Sequence, residues 1–142
     1  MKKIILASLM FCGFTFTMQA QEVGVRFGDV VGNDIGIDAV FSSGSSRIHA
    51  DVSFGNGVGV EVLWDVLYKP LGSSDFHWYL GAGPSALIDD PFWLGISGEA
   101  GLEYRFKGVP IVLGADWRPT FWIIDDSDFH SGGFGINARW VF

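Results

Sequence analysis

The chain has 142 residues, of which 15% are aromatic and 20 are glycine, and its formal charge is −7. That length holds one domain, and the acidic balance excludes the basic patch that a nucleic-acid partner requires. A single cysteine, Cys12, excludes an intramolecular disulfide framework.

In chain order, Met1-Lys2-Lys3 is followed by an apolar run from Ile4 to about Phe16 and then by Thr17-Met18-Gln19-Ala20. A basic start, a short apolar stretch and a small final residue read as a secretory signal peptide over residues 1–20, cleaved after Ala20. The run falls short of the roughly 20 residues of a spanning helix. Cys12 follows Met10 and Phe11, not the small residues of a lipoprotein site. Residues 21–142 form the predicted mature domain. Loss of Lys2 and Lys3 leaves seven basic against 16 acidic residues, a charge of −9.

Strict alternation dominates from there. Eight period-two segments are predicted, roughly Glu22–Gly28, Ile35–Phe41, Arg47–Gly55, Val58–Tyr68, Phe76–Leu87, Phe92–Phe106, Val109–Ile124 and Phe134–Phe142. Turn chemistry separates them: Asp29–Asp34 with Gly32-Asn33, the Ser42–Ser46 link around Gly44, Gly55-Asn56-Gly57, Pro70–Asp75, Asp89-Asp90-Pro91, Lys107-Gly108 and Asp125–Gly132. No segment sustains a helical period, so the fold class is all-β.

One face of these segments is wholly uncharged, as in Val23/Val25/Phe27, Ile35/Ile37/Ala39/Phe41 and Val109/Ile111/Leu113/Ala115/Trp117. The other carries charge and glycine. Alternation does not say which face is inside, but four features favour an apolar exterior in a membrane. The only lysines after the leader, Lys69 and Lys107, fall at turns, and the strand cations are all arginine, which suits close pairing with carboxylates. Glycines on the polar face make room for large neighbours in a narrow lumen. Aromatics such as Phe27, Trp64, Tyr68, Phe76, Trp78, Phe106, Trp122 and Trp140 gather near segment ends, as interfacial girdles do. The chain closes on the alternating Asn137-Ala138-Arg139-Trp140-Val141-Phe142.

A signal peptide, eight alternating segments, short connections and a terminal aromatic strand resemble the small outer-membrane barrel superfamily, the group of the OmpA membrane domain and OmpX. The stretch Gly101–Phe106, Val109-Pro110 and Asp116-Trp117-Arg118-Pro119 resembles a hairpin of uncharacterised outer-membrane β-barrel sequences. The resemblance covers the whole mature chain. It implies an eight-stranded antiparallel up-and-down transmembrane barrel in the outer membrane of a Gram-negative cell. It also implies contact with outer-membrane lipid and lipopolysaccharide, and recognition of the strand ending in Phe142 by the barrel-assembly machinery.

Eight strands enclose just enough space for side chains to fill, so a packed polar core is expected. Its predicted charge network is Arg26, Asp38, Arg47, His49, Asp51, Glu61, Asp65, Glu99, Glu103, Arg105, Asp116, Arg118 and Arg139, with His77 beside it. Two groups of residues invite a catalytic reading. His49, Asp51 and Ser53 share one strand face, but residues two apart on a strand stand roughly 6.5–7 Å apart, too far for a relay. His130-Ser131 resembles part of the lipid A deacylase site, whose histidine and serine are one residue further apart, and no glutamate follows in the last strand. Asp125, Asp126 and Asp128 are the candidate ligands for a hard cation, but a solvated loop explains them and no metal is expected. The reading is therefore a monomeric structural or surface-interaction barrel without catalytic residues, enzymatic activity or cofactor. The alternatives are a narrow channel for small solutes and, more distantly, a lipid A-modifying enzyme.

Overall fold

Valine, isoleucine and aromatic residues at every second position favour extended backbone whose two faces differ in polarity. The computed structural model describes residues 21–43, 46–124 and 127–142. The expected leader, the Gly44-Ser45 link, Asp125 and Asp126 lie outside the described residues. Ten strands follow in order: β1 (Glu22–Val30), β2 (Asn33–Ser43), β3 (Ser46–Gly55), β4 (Gly57–Leu71), β5 (Ser73–Ile88), β6 (Trp93–Arg105), β7 (Ile111–Trp117), β8 (Thr120–Ile124), β9 (Asp128–His130) and β10 (Phe134–Val141).

Every pairing is antiparallel, β10 pairs with β7 and β6 with both β7 and β8, and β1 closes the sheet by pairing with β10 from Glu22↔Val141 to Gly28↔Gly135. The ten strands make eight staves. β7 and β8 are two parts of one stave, since both pair with β6 and only Arg118-Pro119 lies between them. Proline has no N–H to offer the ladder, and the break falls there. β9 and β10 form the last stave. The fold is a closed eight-stranded up-and-down antiparallel barrel.

Turn chemistry sets the rims. At the β1–β2 hairpin the register shifts after Phe27, and the two turn residues Val31 and Gly32 have φ of 53° and 79°. This is the left-handed pair of a tight hairpin. The turn is shorter than the predicted Asp29–Asp34, because Asp29 and Val30 extend β1. Val30 and Val31 are buried and fold into the barrel mouth at this end. The base of the barrel, at the opposite rim, carries Gln21 and Phe142.

The interior holds the polar face. Arg26, Asp38, Arg47, His49, Asp51, Glu61, Asp65, Glu99, Glu103, Asp116, Arg118 and Arg139 are each at most 5% exposed. Outward lie large apolar side chains: Ile37, Trp64, Ile96, Phe134, Ile136 and Trp140 are all more than half exposed. No helix among the described residues is long and apolar enough to cross a membrane. Tyr68 departs from its expected place in an outer girdle. A bulge between Asp65 and Leu67 shifts the alternation, and the Tyr68 ring turns inward beneath Arg47, 4.3 Å from its guanidinium carbon.

Candidate functional site

Register brings like charges together. Asp38 faces Asp51 across β2–β3, and Asp51 faces Glu61 across β3–β4. Directly opposed like charges are destabilising unless something neutralises them. Arginines from the far wall do so. Arg118, at the break between β7 and β8, reaches across the lumen and donates from Nη1 to Asp51 Oδ2 and Glu61 Oε1, both at 2.8 Å. Its Nε stands 3.3 Å from Glu99 Oε2 and its Nη2 3.4 Å from Asp116 Oδ2. One guanidinium therefore ties together carboxylates of β3, β4, β6 and β7.

Arg139 on β10 plays the same part nearer the base. Its nitrogens lie 2.9 Å from Glu22 Oε2, 3.1 Å from Asp38 Oδ2 and 2.5 Å from Glu103 Oε2. Arg47 donates to Asp65 Oδ2 at 3.0 Å and to Glu103 Oε2 at 2.7 Å. Tyr68 donates to Glu103 Oε1 at 2.6 Å and accepts from Arg105 Nε at 3.0 Å. Arg105 also pairs with Glu22, and its side chain is 32% exposed, so it marks the lower boundary of the network. His77 stacks on Tyr68 with ring centroids 4.8 Å apart.

Towards the mouth the chemistry changes from ions to hydroxyls. Ser85 donates to Glu61 at 2.9 Å, and Ser85, Ser97 and Thr120 form a chain with spacings of 2.5 and 2.6 Å. Arg26 holds Asp116 Oδ1 through Nε at 2.9 Å. Asn33 donates to Ser53 Oγ at 3.0 Å and accepts from the Asn56 N–H at 2.7 Å, which fixes two mouth turns to each other.

His49 sits at mid-height between Asp38 Oδ1 at 3.4 Å and Asp65 Oδ2 at 3.2 Å, stacked on Tyr79 with ring centroids 5.2 Å apart. Inner-face glycines create the space for these side chains. A Cβ on Gly101 would lie 2.2 Å from the Tyr79 ring, and one on Gly135 would lie 2.6 Å from the Arg26 guanidinium.

All thirteen side chains of the expected network line the lumen or its base, and the structure joins them through shared arginines. Glu22 also belongs, pairing with Arg139 and Arg105. Its parity with Gly24 and Arg26 was the available signal. Tyr68 carried no such signal, because the bulge that turns it inward has no mark in the alternation.

The catalytic candidates are placed differently. Ser53 Oγ donates to the Val30 carbonyl at 2.7 Å, so its proton is engaged away from His49. At the mouth, His130 pairs with Asp29, and the Ser131 carbonyl accepts from Trp117 Nε1 at 2.7 Å. Asp128 Oδ1 accepts from the Phe129 N–H at 2.9 Å, a local loop contact.

Fold and interior together define a class: a closed eight-stranded barrel with a hydrogen-bonded charge network as its core and an apolar outer wall. No family model, curated protein or solved structure matches the chain.

Proposed function

We propose that the chain is an integral outer-membrane β-barrel of structural or surface-interaction type, exported by its leader, monomeric and without catalytic activity. The observation that carries this reading is the inverted polarity of the wall. Soluble proteins rarely expose contiguous apolar patches beyond a few hundred Å², whereas a membrane barrel presents an apolar band to lipid and polar side chains to its interior. Ile37, Ile96 and Ile136 face outward while Asp38, Ser97 and Asn137 beside them in sequence are buried. The likeness to the small outer-membrane barrel superfamily supports the same reading. In it, lipid and lipopolysaccharide contact the wall, and the assembly machinery engages the strand ending in Phe142.

The lumen supports a structural part over transport. Guanidiniums bridge the walls at several heights, and Val30 and Val31 fill the mouth. The test is expression of the full chain in a Gram-negative host, membrane fractionation, and gel mobility of boiled and unboiled samples. A heat-dependent mobility in the outer-membrane fraction is expected. Recovery as a soluble periplasmic protein would overturn the reading. Steady single-channel conductance of the purified barrel in a planar bilayer would replace the structural role with a channel.

A further inference from the structure

The lumen carries more negative than positive groups. Among the described residues, its carboxylates are Glu22, Asp38, Asp51, Glu61, Asp65, Glu99, Glu103 and Asp116, against Arg26, Arg47, Arg105, Arg118 and Arg139. Buried polar atoms without hydrogen-bond partners occur along the whole lumen, and among the described carboxylates Glu99 alone has both oxygens in that state. Neither carboxylate oxygen of Glu99 has a hydrogen-bond partner although the residue is 2% exposed, and Asp65 Oδ1 and His49 Nε2 are also without one. Burying such groups without hydrogen bonds is unfavourable, and for Glu99 the Arg118 Nε at 3.3 Å from Oε2 supplies an ion pair but no hydrogen bond.

We propose that His49 Nε2, Asp65 and Glu99 form a binding site for a divalent first-row transition-metal ion inside the barrel. The three come from β3, β4 and β6, and their ligand atoms lie within 4.8 Å of one another. His49 Nε2 is 3.2 Å from the nearer Asp65 oxygen. Two ligands bonded at about 2.0–2.1 Å in a tetrahedral shell stand roughly 3.3 Å apart, so the spacing fits. One imidazole and two carboxylates suit zinc, iron, cobalt or manganese.

The surroundings complete the site. His49 Nδ1 faces Asp38 Oδ1 at 3.4 Å. A proton on Nδ1 leaves the Nε2 lone pair for the metal, the arrangement by which a carboxylate orients a ligating imidazole. Arg118 Nη2, also 3.4 Å from Nδ1, is a donor only, so with Nδ1 protonated its hydrogens serve Asp116 Oδ2 at 3.4 Å instead. Tyr79 stacks on the ring and fixes its plane. Asp65 Oδ2, the oxygen 3.2 Å from His49 Nε2, accepts from Arg47 with one lone pair and keeps the other for the ion, while Oδ1 has no hydrogen-bond partner. The second nearby trio, Asp38, His49 and Asp51, is a weaker site. Asp38 already accepts from Arg139 at 3.1 Å, and Asp51 from Arg118 at 2.8 Å. Because the lumen is filled above and below, the ion enters as the barrel closes and is then held against exchange.

The test uses the whole purified protein. It is unfolded in urea with EDTA and refolded into detergent micelles with Co²⁺ alone. After removal of free metal and a further EDTA wash, cobalt is counted by elemental analysis and its visible absorption recorded. The expected result is close to one Co²⁺ per folded chain, resistant to EDTA until the barrel is heated open, with ligand-field bands of low coordination. Glu99→Gln and His49→Asn are each expected to retain less than a tenth of that cobalt. Heat-dependent gel mobility establishes that each variant has folded. Asp128→Asn controls for the exposed loop and is expected to retain the full amount. Cobalt that EDTA strips from the folded protein, or equal retention by a folded Glu99→Gln, would overturn the proposal. So would folded wild type without bound cobalt, which would mean that protons rather than a metal balance the excess carboxylates.

Discussion

Replacing Arg118 by methionine would keep most of its length and remove the one cation that Asp51, Glu61, Glu99 and Asp116 share. Losing one partner of a buried ion pair leaves an uncompensated charge, typically about 3–5 kcal/mol. Arg118→Met is therefore expected to unfold at lower urea than wild type in detergent by that order of free energy. An unchanged midpoint would show that the lumen is hydrated enough to screen the loss. Gly101→Ala tests packing in place of charge. Its added methyl meets the Tyr79 ring, and overpacking of this kind costs about 1–3 kcal/mol. Tyr79→Phe keeps the ring and loses only the long 3.4 Å contact of its hydroxyl with Asp116, so it should unfold close to wild type. A larger effect of Tyr79→Phe than of Gly101→Ala would mean that the hydroxyl, not the fit of ring over glycine, holds this part of the wall.

At the scale of the strand, sidedness can be tested one position at a time. Ile37 lies at mid-height on β2, 51% exposed, beside Val25 on β1 and Val52 on β3. In lipid, arginine at such a position costs about 2–4 kcal/mol. Ile37→Arg should therefore fold in detergent and insert poorly into bilayer vesicles, as measured by protease resistance after refolding. Equal insertion would place the β2 face outside the lipid. The same positions show what alternation could and could not reveal. Ile37 and Asp38 read correctly because period two is unbroken from Ile35 to Phe41. Tyr68 read wrongly because a one-residue bulge after Asp65 inverts the faces, and neither Asp65 nor Val66 marks a bulge in sequence. The break at Arg118-Pro119 was carried within one long predicted segment, Val109–Ile124, since the proline leaves its parity intact. Which carboxylate meets which arginine was not legible at all. Asp38 with Arg139 and Glu61 with Arg118 span different strands, and their meeting depends on register and shear, which period two leaves free.

For the molecule as a whole, closure and charge burial are one event. Arg26 and Asp116, or Asp38 and Arg139, are far apart in the chain and meet only when β1 pairs with β10. Unfolding is then expected to be cooperative, with tryptophan fluorescence and gel mobility changing together. Separate transitions would show a wall that opens before its core. That same seam places Gln21 and Phe142 side by side: the Phe142 N–H donates to the Gln21 carbonyl at 2.9 Å. A short linker could join them, and the chain could be reopened between Ile88 and Trp93. Such a circular permutant would keep every neighbour pairing and make Phe142 internal. Refolding it in micelles and exporting it in cells would separate the final strand's place in the wall from the delivery role proposed for its end. If it refolds but fails to reach the membrane, the barrel's geometry is indifferent to where the chain stops and its delivery is not.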